Sequence, residues 1–530
     1  MCIVVHLERA EDCAVMRFLR PGPVQIAWFI LIPAAIAQGR GQASVDQLPP
    51  PLTSRIGQAR PIDDLPPSTM PALEVRPIDL NTALKLAGAE NPDLLLAWQR
   101  LTEAEAERQL AAARFLPSLN LGTNYDVHNG NLQQSNGNIL SVNRSAIYVG
   151  AGAEAIGSGT VNIPGIVLYG NFAKELFSYL ASRQVVVQRG AATVAVRNQT
   201  FLAVALAYSE LLRAEGRLAI ARQVEGEGRR IAQLTADYAT VGQGRQADAD
   251  RAATELAGRQ ADRQRFEGDV IAASARLCRL LNLDPSIRLH PTDAALVPHP
   301  IVPSPIPLGE LIATALLNRP ELADRRAAVA EALYSLGGAR VLPFSPNVLI
   351  GFSGGAFGGG SNLVRPVFGG FGGRSDLDVI AFWTIQNLGV GNVALVRAAN
   401  ARLQAAKYQE LAALNRVRAE VTEAYALTHA SFARINSTEK AVESGALALR
   451  EDYERIQFRA QRDVLPIELL DSFRLKARAT YDYLDSIVDY NKGQFQFYVA
   501  LGQPPADVLA RPVPNAGIAV SPAMLPDADR

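Results

Sequence analysis

Two stretches of this chain, Phe172 to Tyr238 and Val393 to Phe458, carry a helical pattern for more than sixty residues each without one proline. A helix of about 67 residues, at about 1.5 Å per residue, rises about 100 Å. No globular domain has use for such a length unless the helix lies along a partner. The apolar positions say that it does. Val204, Leu211 and Leu218 recur every seven residues, as do Val224, Ile231 and Tyr238. In the later stretch Leu414, Val421 and Ile435 share one heptad position, with Val417, Tyr425 and Phe432 alongside. This is coiled-coil spacing.

The two long stretches belong to two copies of one plan. IDLNTALKLAGAENPDL from Ile78 matches IPLGELIATALLNRPEL from Ile306 without a gap, so that Leu80, Pro92 and Leu94 meet Leu308, Pro320 and Leu322. Each copy continues as an Ala-rich helix of about 35 residues (Leu80 to Arg114, Leu308 to Arg340). It passes through AARFLPSLNL or GARVLPFSPNVLI, and closes on RLLNLDP or YVALGQPP. A second helix of about 35 residues ends each half. The two shorter helices of a half together match the long one, so they are expected to stack end to end beside it.

Between the first helix and the long helix each half places two strand-like segments: residues 119–127 and 145–157, then 347–355 and 375–385. Their alternation over about ten residues suits a tilted membrane strand. The glycine-rich run 351–373 lacks the GK[ST] of a phosphate loop and is expected to be an exposed flexible loop between two such strands. Four strands cannot close a barrel, and lipid does not tolerate an open sheet edge. If these strands enter a membrane, several copies of the chain must pool them.

The N-terminus reads as an export signal over residues 1–37. Arg17 and Arg20 precede an apolar core from Val24 to Ile36, and Ala35-Ile36-Ala37 is an A-x-A cleavage site before Gln38. Met16 stands where a conventional signal begins. The apolar run is shorter than the roughly 20 residues of a spanning helix. The remaining organisation is a Pro-rich linker at 38–77, a first repeat at 78–290, a linker at 291–305, a second repeat at 306–505 and a tail at 506–530. Formal net charge is zero, which gives no electrostatic footprint for nucleic acid. Removal of the signal would leave Cys278 as the one cysteine. It sits in the helical pattern ARLCRLLNL as a packed small apolar residue. Five histidines scattered singly form no metal or catalytic constellation.

This layout resembles the outer-membrane efflux protein family, whose type is TolC. The resemblance covers residues 78–505. It rests on Leu80, Ala83, Leu84, Asn91, Pro92 and Leu94 at the opening and on WTIQNLGVG at 383–391, where strand hands over to long helix. It rests also on Glu468-Leu469-Leu470-Asp471 followed by Ala500-Leu501-Gly502. Two departures stand out: bulky Gln461-Arg462-Asp463 in the second tip loop, and the long glycine-rich run. The resemblance implies a mainly α fold with membrane β. Long coiled-coil helices would form a periplasmic α-barrel, and four strands per protomer would contribute to a twelve-stranded trimeric β-barrel in the outer membrane. It implies a channel serving tripartite efflux or type I secretion, a homotrimer, a periplasmic membrane-fusion adaptor and an inner-membrane transporter as partners, and no cofactor.

Glu468 and Asp471 are three apart and share a helix face. On local grounds they are carboxylates favoured near a helix N-terminus just after Pro466. The resemblance adds that such a pair lines the closed periplasmic entrance, where three copies form acidic rings. The first-half counterparts are Asp250 and Ala253, so the pair is absent there. Gly389-Val390-Gly391-Asn392-Val393-Ala394 satisfies G-x-G-x-x-A, the turn of a dinucleotide site. The helical pattern after it runs on to Phe458 instead of returning to a second parallel strand. A periplasmic adaptor is the other alternative, since adaptors also carry long helical hairpins. Two hairpins repeated in tandem argue against it.

Overall fold

The computed structural model describes residues 74–153, 163–293, 296–303, 306–458 and 466–503. The expected signal at 1–37, most of the linker at 38–77, the tail at 506–530, the tip loop with Gln461-Arg462-Asp463 and the end of the 145–157 segment lie outside the described residues. The chain runs β1 (Val75–Ile78), α1 (Leu80–Glu90), α2 (Pro92–Ala113), β2 (Ser118–Leu119), β3 (Leu121–Gln133), β4 (Ile139–Ala153), β5 (Ile163–Pro164), β6 (Ile166–Asn171), α3 (Phe172–Thr240) and α4 (Gln246–Leu281). It continues with β7 (Arg288–Pro291), α5 (Leu308–Asn318), α6 (Pro320–Val341), β8 (Asn347–Ser361), β9 (Val364–Phe382), α7 (Val390–Phe458) and α8 (Pro466–Ala500).

The two long helices, α3 and α7, have 69 residues each. The heptad residues Val204, Leu211, Leu218, Val224 and Ile231 are buried, as are Val417, Val421 and Ile435. Phe432 departs from this pattern: it is largely exposed, with its ring 5.4 Å from that of Tyr490. Along α3 the seam packs against Phe266, Val270 and Leu277 of α4. Along α7 it packs against Leu311 and Ala315 of α5 and Phe497 and Tyr498 of α8.

The first helix of each half is broken, against the expectation of one continuous helix of about 35 residues. Asn91 and Arg319 adopt extended backbone, and Pro92 and Pro320 open α2 and α6. The proline ring excludes helical geometry from the preceding residue and lacks the N–H that would continue the ladder. The break is used. Asn91 accepts hydrogen bonds from the Asp93 and Leu94 amides, and its Nδ2 donates to the Leu280 carbonyl at the end of α4 at 2.9 Å. Arg319 Nη1 donates to the Val499 carbonyl at the end of α8 at 3.3 Å. The shorter helices of each half thus meet end to end at equivalent points. Both α4 and α8 terminate on a left-handed residue, Asn282 and Gly502.

The seven strands of the main sheet amount to four tracks. β3 pairs with β4, β4 with β8, and β8 with β9, all antiparallel. β6 takes the place of β4 beside the first half of β8, and β2 lies along β6. The glycine-rich run is therefore not a loop: it forms most of β8 and the start of β9, with the turn at 362–363. Glycine is disfavoured in strands, which is why composition suggested otherwise. Here neighbouring rings cover the bare backbone. A Cβ on Gly358 would stand 2.1 Å from the Phe371 ring, and one on Gly355 2.9 Å from Tyr148 Cζ.

Candidate membrane face, charged face and helix tip

Register fixes what each face of the sheet carries. Tyr125 opposes Ile147, Thr123 opposes Val149, Ile166 opposes Phe352, and Ile350 opposes Val379, so one face presents a band of apolar side chains. Tyr125, Val127, Val149, Ile350, Leu377 and Val379 on it are exposed. The other face carries Asn124, Asp126, His128, Arg144, Arg374, Asp376 and Asp378. Arg144 pairs with Asp126 at 3.7 Å and Arg374 with Asp376 at 2.6 Å. A strand apolar outward and polar inward belongs to a barrel wall between lipid and a wet lumen. Among the described residues β3 and β9 are the two edges, 13 and 19 residues long. Edges of that length are pairing templates.

At the opposite end of the long helices, α8 begins beside the α3–α4 hairpin. Leu469, Leu470 and Phe473 are buried against Val224 and Ile231 of α3 and Ala252 of α4. A Cβ on Gly228 would stand 3.3 Å from the Phe473 ring, so the glycine seats it, and the Arg259 guanidinium lies 5.8 Å from the ring centroid. Glu468 and Asp471 flank this apolar anchor and both are exposed. The structure thus holds the backbone of the acidic pair firmly and leaves its side chains pointing away from the tip core. Asp250, the first-half counterpart, is also exposed and accepts from Gln246 Nε2 at 3.1 Å.

Sequence patterning did not reveal the charged seam between the halves. Arg217 of α3 grips Asp485 of α8, which raises the pKa of the guanidinium. Glu227 of α3 receives Lys476 at 2.6 Å, and Glu255 of α4 receives Arg474 at 2.8 Å. Arg213 pairs with Asp489 and Lys492 with Glu210. Burial pushes the Glu255 carboxyl upward, but the Arg474 hydrogen bond and the charge of Arg259 outweigh it and hold the pKa below the ordinary value. A cleft of about 360 Å³ opens along this seam. It is lined by Arg217, Arg259, Arg265, Arg474 and Arg478 against Asp262, Asp482 and Asp485. The only available signal was the spacing of opposite charges on α3 and α8, and that spacing cannot say which helices meet.

The turn Gly389 to Ala394 is also resolved. Gly389 has φ 91° and the 69-residue α7 follows at once. β9 before it runs antiparallel to β8, so no βαβ unit forms. The glycines serve the passage from strand to helix.

No protein-family model matches the chain, and no curated protein matches it in sequence. Solved structures do match. The outer-membrane channel OprN superposes with a TM-score of 0.65 at 20% identity, covering 80% of this chain and 89% of its own. The outer membrane protein VceC of Vibrio cholerae gives 0.64 at 17% identity, over 80% of this chain and 96% of its own. The CmeC outer membrane channel of Campylobacter jejuni gives 0.66 at 14%, over 80% and 85%. With its two tandem hairpins, its four-track sheet and this likeness along most of its length, the chain has the fold of the TolC-like outer-membrane channels.

Proposed function

We propose that the protein is an exit duct of the outer membrane, passing substrates outward from the periplasm or from an inner-membrane pump. The observation that carries this reading is the sheet: an exposed apolar face, a charged face behind it, and two long edges that are unpaired among the described residues, all joined to paired helices about 100 Å long. Pairing β9 of one copy with β3 of the next satisfies both edges and closes a barrel. Three copies give twelve strands, an even number within the range of such barrels. The choice of three follows the TolC-like architecture. The helices then line a periplasmic tunnel, and Glu468 and Asp471 bring up to six carboxylates around its entrance. A periplasmic membrane-fusion adaptor and an inner-membrane transporter are the partners that a duct of this form requires.

Residues 1–37 act in this reading as the export signal, and 78–290 and 306–505 are the two repeats. The test is reconstitution. Protein purified from outer membranes should migrate as a trimer, cross-link between cysteines placed on β3 and β9 of different copies, and conduct ions in a planar bilayer. A monomer that retains its full β content and conducts would refute the trimer. Recovery in the soluble periplasmic fraction, without channel activity, would favour the adaptor reading.

A further inference from the structure

Three consecutive residues between β9 and α7 are left-handed: Asn387 (φ 50°, ψ 49°), Leu388 (φ 56°, ψ 29°) and Gly389 (φ 91°). Glycine and asparagine tolerate this region, but leucine rarely adopts it. Such strain persists where the surroundings over-determine it, and here they do. The buried Asn392 side chain accepts the Gln386 amide at 2.8 Å. Gly391 makes room for Asn387, whose Oδ1 would stand 2.7 Å from a Cβ there. The effect of the turn is to throw Leu388 clear of the protein: it is 99% exposed.

Leu388 does not stand alone. Trp383, Ile385, Val390 and Phe344 at the same junction are each more than 60% exposed. Residues 377, 379 and 381 of β9 face the apolar side of the sheet, and the same alternation carries on to Trp383 and Ile385. The exposed cluster therefore continues the apolar face at its helix-ward end. Trp383 Nε1 donates to the Phe344 carbonyl at 3.3 Å, tying the two aromatic residues together. A ring with one polar edge beside aliphatic side chains suits the headgroup level of a bilayer.

We propose that the strained turn at 387–389 is a lipid anchor. It presents Leu388 to the lipid of the periplasmic leaflet beside Trp383, and so fixes the depth at which barrel gives way to tunnel. The occupant of this surface is lipid rather than a second copy of the chain. The argument for lipid is continuity with the apolar sheet face and the absence of any charged side chain from residues 377 to 396 other than Asp378, which faces the opposite side. The inference rests on the outer-membrane reading above.

The test uses the trimer reconstituted in vesicles of phosphatidylethanolamine and phosphatidylglycerol. Nitroxide labels are placed at Leu388→Cys and, separately, at Val379→Cys in the middle of the apolar face. Buried Cys278 is not expected to react. At both positions molecular oxygen should relax the label several-fold more than a water-soluble nickel chelate does. If the chelate reaches position 388 while position 379 stays in lipid, the anchor is refuted and the channel reading survives. If neither reagent reaches position 388, a second copy covers it and the anchor is equally refuted. If the chelate reaches both, the sheet is not in lipid and both readings fall. A second measurement leaves the turn untouched. In Trp98→Phe protein, Trp383 is the one tryptophan remaining after the export signal, and lipids brominated near the headgroup should quench its fluorescence. Absence of quenching overturns the proposal.

Discussion

Arg217 of the first half's long helix presents Nε and Nη2 to the two carboxylate oxygens of Asp485 on the second half's last helix, with Nε 3.2 Å from Oδ1. The two residues are 268 positions apart, so this parallel pair of bonds is a tertiary lock between tandem repeats. Paired donors matched to paired acceptors fix orientation as well as distance.

The lock is partly solvated, with side-chain exposures of 34% and 20%, so its worth is limited by screening. A double-mutant cycle with Arg217→Ala and Asp485→Ala should give a coupling free energy on the order of 1 kcal/mol in equilibrium unfolding. Asp485 also lies 3.6 Å from Arg213, so Asp485→Ala alone should cost more than Arg217→Ala alone. Equal single losses that simply add would show that the contact is geometric and carries no energy.

Glu255 gives the seam a pH dependence. Its pKa is lower in the folded protein than in the unfolded chain, so its bonds to Arg474 and Arg259 stabilise the fold above the unfolded value of about 4.3. That contribution fades as pH falls from there through the folded value. Protection factors at the start of α8, taken relative to the intrinsic amide rate at each pH, should therefore fall on acidification through this window. The Glu255→Gln variant should exchange faster at neutral pH and change less on acidification. A variant with the acid response of the parent would place the titrating group elsewhere.

Phe473 carries the tip. It is fully buried and held between Gly228, Leu469 and the α3–α4 hairpin. Replacing it by alanine should cost about 3–5 kcal/mol, the usual loss for a buried ring that leaves a cavity. The conservative Phe473→Leu should recover much of that. Thermal or denaturant unfolding measures both, and an alanine variant within 1 kcal/mol of the parent, well under the roughly 3 kcal/mol floor for such a cavity, would mean the tip core collapses around the gap.

The long helices and their seams were legible because a heptad repeat reports burial directly: Val204, Leu211 and Leu218 are all buried as their spacing required. The helix breaks at Asn91 and Arg319 were written in Pro92 and Pro320, but the Ala-rich pattern on both sides masked them. The four segments fell on β3, β4, β8 and β9, which start or end well beyond them, while β6 was missed and the last segment ran past Phe382. β4 begins at Ile139 and β8 reaches Ser361, because cross-strand pairing and ring coverage support polar and glycine residues that lack strand propensity of their own. Of the candidate site, the exposure of Glu468 and Asp471 followed from helix phase. The left-handed Leu388 did not, since only the fold around Gly391 and Asn392 imposes that conformation.

Glu468 and Asp471 provide the sharpest test of the duct. They stand exposed on either side of the buried Leu469-Leu470 pair, on the first turns of α8. In a trimer, three copies bring six carboxylates around one axis. A ring of like charge at a constriction admits cations and resists anions. Divalent cations should bind such a ring and reduce the current. Replacing both residues with alanine should leave the fold intact, since exposed carboxylates near a helix start contribute only about 0.3–1 kcal/mol each. The trimer should still assemble, because no described contact of the tip core uses either side chain. In planar-bilayer recordings the double variant should lose cation preference and become insensitive to divalent block. The conservative Glu468→Gln with Asp471→Asn should do the same, which assigns the effect to charge and not to side-chain volume. Unchanged selectivity and block in both variants would leave the pair a helix-start feature and place the narrowest point of the tunnel at another level.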